Sequence, residues 1–268
     1  MSEFTALRAL SPTALADVNA AVRQTCAATL GLAPLPADAI PAADAAVLAF
    51  AEQFSVDVSV LSAEQRSAFL AATGDTAFAV AALIFVADFG PRVLAGLSAL
   101  GLTVPPAPEH WDQHTDPGDL LLNGFAPAVA QLATLDPVTT EIVRLRGAVQ
   151  HNCRLCRSLR DGTALDAGGS ETLYDDIAHY EASDLLNNQH KAALRYVDAL
   201  IWTPAHIPVQ TAGGVRTHFT DTQATELTFD VMRNACNKIA VAFGADTPRV
   251  PEGTERYVIG ADGQPVYR

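Results

Sequence analysis

Positive charge is scarce in this chain of 268 residues, which has 17 lysines and arginines against 30 aspartates and glutamates. The formal charge of -13 argues against nucleic acid or an anionic membrane as a partner, because phosphate groups are bound by clustered basic side chains. The longest apolar run, residues 77–87, is too short to span a bilayer, and the N-terminus has no apolar leader segment. We therefore expect a cytoplasmic protein that does not bind membranes.

Cysteine is also sparse, and only two of the four cysteines are close together in sequence: Cys153 and Cys156 form a C-x-x-C pair, whereas Cys26 and Cys236 are single. A structural zinc site needs four ligands. His151 offers a third ligand beside the pair, but the sequence supplies no fourth. We therefore expect no metal and no cofactor, and Cys26 is interpreted as a small buried apolar residue.

Three arginines, Arg154, Arg157 and Arg160, surround the C-x-x-C pair. Cationic side chains and a helix N-terminus both stabilise thiolates, so the pattern predicts lowered thiol pKa values. Asn152 has the character of an N-cap for a helix that begins at Cys153, which would place both sulfurs on one face. A reversible disulfide is the favoured interpretation. An inert buried pair and a metal site remain the alternatives.

The same region carries a family resemblance, in the run Glu141-x-x-Arg144-Leu145-Arg146-Gly147-Ala148 followed by Cys153-x-x-Cys156. Together with Ala192-Ala193-Leu194, Glu226-Leu227 and Asn237-Lys238, this run resembles the alkyl hydroperoxidase D and carboxymuconolactone decarboxylase superfamily over about the C-terminal half of the chain. The resemblance implies an all-α, multi-helical fold, homo-oligomers, and thiol peroxidase activity in members that keep both cysteines.

Within that resemblance, Cys156 corresponds to the peroxide-attacking thiol, Cys153 to the resolving thiol and Glu141 to a proton-relay carboxylate. Arg160 stands where peroxidase members usually have a histidine, and an arginine cannot exchange protons near neutral pH. His151 is the substitute candidate, with a solvent-facing or capping histidine as the alternative. Glu141 reaches the cysteines only if the chain bends after its helix, since twelve residues of helix cover about 18 Å; otherwise it is a first-turn acid that matches the helix dipole.

The predicted substrate is a peroxide or another small molecule, and an external dithiol would reduce the resulting disulfide. Two alternatives remain. A lactone decarboxylase of the same superfamily would use acid/base chemistry without cysteines. A redox-sensing or structural oligomer would explain the missing relay histidine.

The chain divides by composition into four parts: an N-terminal helical half at 1–100, a proline-rich linker at 101–118, the C-x-x-C domain at 119–243 and an extended tail at 244–268. The sequence of the tail predicts a short β-hairpin with its turn at Asp262-Gly263. His110 and His114 in the linker are interpreted as solvated. Residues 46–52 align in sequence with 192–198. At the same offset Asp75 aligns with Asp221 and Arg92 with Lys238, which predicts a repeated helical hairpin.

Capping and breaking residues predict the helix limits. Residues 1–10 are expected to be a loose lead-in, before helices at 11–30 and 42–54. A capping box at Ser62-x-x-Gln65 and a cap at Asp75 open the next helices, and Gly90-Pro91 is expected to end the second of them before a helix at 92–100. The later segments are predicted as helices over 120–132, 137–150, 153–167, 170–180, 188–200 and 221–243, with a capping box at Thr220-x-x-Gln223.

Overall fold

The computed structural model describes residues 2–268 and shows an all-α, multi-helical protein, as predicted. The α-helices, in chain order, are α1 Ser2–Ala9, α2 Ala16–Leu30, α3 Ala45–Asp57, α4 Ala63–Thr73, α5 Ala77–Ala99, α6 Pro117–Asp119, α7 Ala126–Ala130, α8 Pro137–Gln150, α9 Arg154–Arg157, α10 Gly162–Asp166, α11 Glu171–Asp175, α12 Asn188–Trp202, α13 Val209–His218, α14 Asp221–Ala235 and α15 Lys238–Phe243.

Short 3-10 segments and one π-helical turn, at Leu120–Phe125, connect some of these helices. One small sheet completes the described chain. Its strands, in spatial order, are β1 Leu159–Asp161, β2 Glu255–Ile259 and β3 Pro265–Tyr267, with β1 parallel to β2 and β2 antiparallel to β3.

The N-terminus corrects two predictions. Residues 2–9 are helical rather than a loose lead-in, because Phe4 and Leu7 are fully buried in the main core. Helix α2 begins at Ala16 after a 3-10 turn, and Ser11 does not cap it, since its hydroxyl pairs with Asp38 instead. The predicted linker also packs on this region: Asp112 bridges to Leu10, and its backbone bonds to both neighbours of that residue.

Helix α5 is continuous through Pro91, so the predicted break at Gly90-Pro91 is wrong. Every residue from 80 to 93 is buried, and this packing outweighs the about 3 kcal/mol that an interior proline costs a helix. Asp75 lies in a 3-10 turn and does not cap α5. Among the residues described, the helical run Ala63–Ala99 is long and apolar enough to cross a membrane, although the core helix of a soluble protein passes the same test.

A buried charged cluster lies between α3, α5, α12 and α15. Asp88 accepts from Arg92 at 2.8 and 2.9 Å, and from the Lys238 ammonium at 2.5 Å. Arg92 also donates to the carbonyls of Ser55 and Ile201, which lie near the C-terminal ends of α3 and α12. Burial lowers the pKa of Lys238. The cluster holds the ends of two helices together inside the core.

The cluster has the geometry expected of the predicted repeat. Ser55 and Ile201 are related by the same offset that relates Arg92 to Lys238 in the alignment. One arginine thus bonds the equivalent carbonyls of both hairpins, and both cations bind Asp88. Helices α2, α3 and α5 pack on one another, and α8 packs on both α12 and α14. The repeat itself stays a prediction.

Candidate active site

Helix α8 ends in a turn that reverses the chain before the cysteines. The amide of Asn152 donates to the carbonyl of Val149 and that of Cys153 to the carbonyl of Ala148, the pair of bonds of a Schellman motif. Asn152 has φ +50°, a left-handed conformation that asparagine tolerates better than most residues. It therefore closes the helix before the cysteines and does not cap the helix after them, which corrects the prediction.

Cys153 and Cys156 are joined by a disulfide, with their Cα atoms 5.3 Å apart. Cys153 is the N-cap of the short helix α9, and its sulfur accepts from the amide of Cys156 at 3.2 Å. The predicted cysteine helix to 167 is wrong: it stops at Arg157, because β1 pairs with strand β2 from the tail. The two sulfurs thus occupy one tight turn between a helix and a strand.

Glu141 lies behind the cysteine turn. Its carboxylate is buried and accepts from Arg144 at 2.6 and 2.7 Å, and from the amide of Asp161 at 3.1 Å. Arg144 in turn donates to the carbonyls of Cys156 at 2.8 Å and Leu159 at 2.7 Å. The chain reversal after α8 therefore brings the cysteine turn back along the helix, where Arg144 links Glu141 to the carbonyl of Cys156. A bend at this point was the condition that the sequence set for Glu141 to approach the cysteines. Its relay role stays a prediction.

The three flanking arginines have other partners than the sulfurs. Arg154 pairs with Asp246, and Arg157 approaches Asn152 at 3.4 Å on the surface. Arg160 binds Glu171 at 2.8 Å and donates to two backbone carbonyls. These contacts hold the cysteine turn against neighbouring segments, so the expected thiolate stabilisation by these arginines has no contact to support it.

His151 is buried rather than solvent-facing. Its ring stands edge-on to Phe89 with centroids 6.2 Å apart, and its Nε2 has no hydrogen-bond partner. Burial, together with Lys238 and Arg92, lowers its pKa well below the usual value. The imidazole thus lies near the charged cluster of the core and is held uncharged there, and the proton-relay role is a prediction that these contacts do not support.

A cavity of about 370 Å³ opens at Cys156, here called the Cys156 cavity. Cys156 forms part of its wall, whereas Cys153 is 1% exposed and lies behind it. The polar side chains of the wall, apart from the cysteines, are Asn123, Arg144, Arg233, Asn234, Asn237, Tyr257, Gln264 and Tyr267. A larger cavity of about 690 Å³ lies beside the start of α14, and no cysteine lines it.

The C-terminal hairpin builds one side of the Cys156 cavity. The turn at Asp262-Gly263 forms as predicted, and Tyr257 and Tyr267 reach the wall from its two strands. Gln264 donates to the carbonyl of Leu122 at 3.1 Å, which fastens the turn to the opposite wall. The tail thus docks on its own chain and covers the cysteine turn.

The two single cysteines have a different environment. Both are buried, and burial raises the pKa of each thiol to about 12. Cys26 packs among apolar side chains of α3 and α5, as predicted. Cys236 contributes to the wall of the Cys156 cavity. At neutral pH both remain protonated and weakly nucleophilic.

Sequence reasoning did not assign roles to Arg144, Arg233, Asn234 or Tyr257. Arg144 carried a local signal, since Glu141 precedes it by three residues and i, i+3 side chains meet on a helix. The other three are far from the cysteines in sequence, and only the packing of α14 and the tail brings them to the site. Asn237, noted for its motif position, donates to the carbonyl of Asn234 at 3.3 Å.

Fold and site together define an all-α protein with a C-x-x-C disulfide beside a small cavity. The chain is 56% identical over 256 residues to the uncharacterized protein Rv2313c of Mycobacterium tuberculosis strain ATCC 25618 / H37Rv, and equally to the uncharacterized protein MT2376 of strain CDC 1551 / Oshkosh. Each comparison covers 92% of this chain and 90% of the relative, so the chain belongs to the same family as these two proteins. No family model matches it.

Proposed function

We propose that this protein is a thiol-dependent oxidoreductase that reduces an organic hydroperoxide with the Cys153/Cys156 pair. The observation that carries the proposal is the placement of the two sulfurs, which are close enough to join while Cys156 alone forms part of the cavity wall. A cavity at the sulfur gives a small substrate access to Cys156. Cys153 lies behind it, as suits a resolving thiol.

The reaction balances without a cofactor. The Cys156 thiolate attacks one peroxide oxygen, an S–O bond forms, the O–O bond breaks, and the leaving alkoxide takes a proton to become an alcohol. The Cys153 thiol then displaces water from the sulfenic acid to form the disulfide. Two thiols are oxidised, and one hydroperoxide is reduced to an alcohol and water. An external dithiol restores both thiols by exchange.

Proton supply sets the expected speed. Among residues 2–268, no Asp, Glu or His forms part of the wall of the Cys156 cavity. Burial raises the pKa of Tyr257, so its phenol keeps its proton at neutral pH. Water must therefore protonate the leaving oxygen, and we expect slower turnover than an enzyme with a relay histidine in place. The absence of an acid/base pair from this wall also gives lactone decarboxylation no support.

The test is the thiol balance of a single turnover. Fully reduced protein is mixed with tert-butyl hydroperoxide, and the remaining thiols and the alcohol are quantified. We expect two thiols lost, one Cys153–Cys156 disulfide and one alcohol per chain, and no alcohol from Cys156→Ser. The Cys153→Ser variant should lose only one thiol and yield a sulfenic acid that a dimedone reagent traps. Peroxide loss without disulfide formation would contradict the paired mechanism.

A redox-responsive protein that does not turn over is the second candidate, and the absence of an acidic group from the cavity wall favours it. The two candidates separate in a coupled assay with excess peroxide and dithiothreitol. Sustained alcohol release supports an enzyme, whereas one equivalent followed by arrest supports a sensor. Cytoplasmic location, homo-oligomeric assembly and the identity of the physiological dithiol stay predictions.

A further inference from the structure

The charge of the Cys156 cavity is opposite to that of the whole chain. The chain has a formal charge of -13, yet the charged side chains of this wall are Arg144 and Arg233, with no carboxylate among the wall residues of the described chain. Arg144 is committed to Glu141 and to two backbone carbonyls. Of the two arginines of the wall, Arg233 is therefore the one whose guanidinium is free to bind a ligand.

Arg233 is half-buried on α14 and has no ion-pair or hydrogen-bond partner within residues 2–268. Asp230 lies one turn earlier on the same helix and attracts Arg233 electrostatically, but burial raises the pKa of this carboxyl to about 7. It is buried outside the cavity wall, and its Oδ2 has no hydrogen-bond partner. A half-buried guanidinium whose nearest carboxyl is hard to ionise is stabilised further by an anion that pairs with it in the cavity.

A second donor in the same wall also lacks an acceptor. The amide nitrogen of Asn234 is buried and makes no hydrogen bond. Buried polar groups in native proteins are nearly always bonded, so an unpaired donor at a cavity indicates a missing acceptor. Arg233 and Asn234 both line the Cys156 cavity, so an oxygen-rich group bound there could accept hydrogen bonds from both side chains.

We propose that the Cys156 cavity binds a small substrate that carries a carboxylate, with Arg233 and Asn234 as its specificity-determining residues. This proposal rests on the hydroperoxide reduction proposed above and names its substrate class as a short hydroperoxy carboxylic acid. A guanidinium matches a carboxylate through two parallel hydrogen bonds, which fixes the far end of the substrate while its peroxide end meets Cys156. A volume of about 370 Å³ is at the small end of ligand sites, so the chain between the two groups is short.

The test compares a hydroperoxyhexanoate with its methyl ester, which lacks the negative charge and carries one more methyl group, by disulfide formation in the reduced full-length protein. We expect the acid to react with kcat/KM about 10- to 100-fold higher than the ester, the range that a charge-assisted hydrogen bond gives. In Arg233→Gln this acid-to-ester ratio should fall to near one. Arg233→Lys should keep part of it, because the charge remains and the fork is lost. Asn234→Ala should lower it less than Arg233→Gln does.

Arg216→Gln is the matched control. Arg216 is an exposed arginine on α13 outside the cavity wall, so its replacement removes the same net charge. The acid-to-ester ratio should match that of the wild type. Equal loss in Arg216→Gln and Arg233→Gln would show a long-range charge effect and overturn the proposal, as would a wild-type ratio near one.

Binding of plain hexanoate to the oxidised protein separates the two proposals. Saturable binding by calorimetry, lost in Arg233→Gln and kept in Arg216→Gln, supports the carboxylate site even if no hydroperoxide is consumed, an outcome that would refute only the peroxidase function. Consumption of the ester and the acid at equal rates, with no hexanoate binding, would leave the peroxidase function standing and overturn the carboxylate site.

Discussion

Both helical halves bury a carboxylate–arginine pair, but one pair joins helix ends in the core and the other supports the cysteine turn. In the first half Asp88 and Arg92 lie in the core and tie the ends of α3 and α12 together, with Lys238 as a second cation. In the second half Glu141 and Arg144 lie behind the cysteine turn and hold the carbonyls of Cys156 and Leu159.

The surroundings of each ion pair decide whether it can take part in chemistry. The first pair is sealed among aromatic rings, and Lys238 lies 4.5 Å from the centroid of Phe54. The second pair reaches a cavity through Arg144. The cysteines follow the same division, since Cys26 is sealed in the core and Cys156 is part of a cavity wall. Four experiments test this comparison.

Alkylation of the reduced, folded protein should show the largest contrast. Burial raises the pKa of Cys26 and Cys236 from the usual 9.0 to about 12, which lowers their thiolate fraction about a thousandfold before access is considered. Mass spectrometry after brief iodoacetamide treatment at neutral pH should find most label on Cys156, which lines the cavity, and label on all four cysteines after denaturation. Rapid native labelling of Cys26 would show that the core is not sealed.

Removal of the core carboxylate should strongly destabilise the fold. Asp88→Ala leaves Arg92 and Lys238 buried without their counter-charge, and breaking a buried pair in this way costs about 3–5 kcal/mol. Urea unfolding followed by circular dichroism measures the loss. The control is Glu181→Ala, which removes an exposed pair with Arg195 and should cost less than about 1 kcal/mol. Similar losses in both variants would refute the distinction.

A second buried carboxyl, Asp230 on α14, forms no ion pair like those of Asp88, and burial raises its pKa to about 7 although Arg233 nearby favours the ionised form. Its folded pKa is above its unfolded value near 3.8, so its favourable contribution is complete below about pH 4 and declines up to about pH 7. Asp230→Asn should therefore gain stability relative to the wild type by about 3–4 kcal/mol between pH 4 and pH 8. Urea unfolding at several pH values measures this gain, and a difference that is constant with pH would contradict the shifted pKa.

The smallest effect is expected at the hairpin that covers the cysteine turn. Gly263 has φ +77°, and a Cβ there would lie 2.5 Å from the carbonyl oxygen of Pro127. Gly263→Ala should lift the turn and let a phosphine reduce the disulfide about tenfold faster, about 1.4 kcal/mol in the barrier. Gly253→Ala is the control, since Gly253 has φ +74° and nothing within 4 Å of the added atom. Equal rates in the two variants would mean that the hairpin does not restrict access.

Local signals in the sequence predicted the elements whose limits depend on nearby residues. The span of α8, the capping boxes at Ser62 and Thr220, and the hairpin at Asp262-Gly263 all follow from caps and turns within a few residues, and all are confirmed. The disulfide partners also followed from spacing alone. In each case the residues that make the determining contact are only a few positions apart in the sequence.

The errors arose where distant residues decide. Pro91 remains inside α5 because the core surrounds it, and the cysteine helix ends early because the tail supplies a strand to β1. The arginines beside the cysteines looked suited to the sulfurs, yet Asp246 and Glu171, remote in sequence, bind two of them. Arg233 had no local signal at all. These outcomes depend on tertiary packing, which a pattern of neighbouring residues does not contain.

The parallel pairing of β1 with β2 also has a consequence for biosynthesis. Strand β1 follows the cysteines directly, whereas its partner leaves the ribosome only after the whole helical second half has been made. During translation the Cys156 cavity therefore lacks the wall that the hairpin later builds, and an oxidant or a folding catalyst can approach Cys156 from that side.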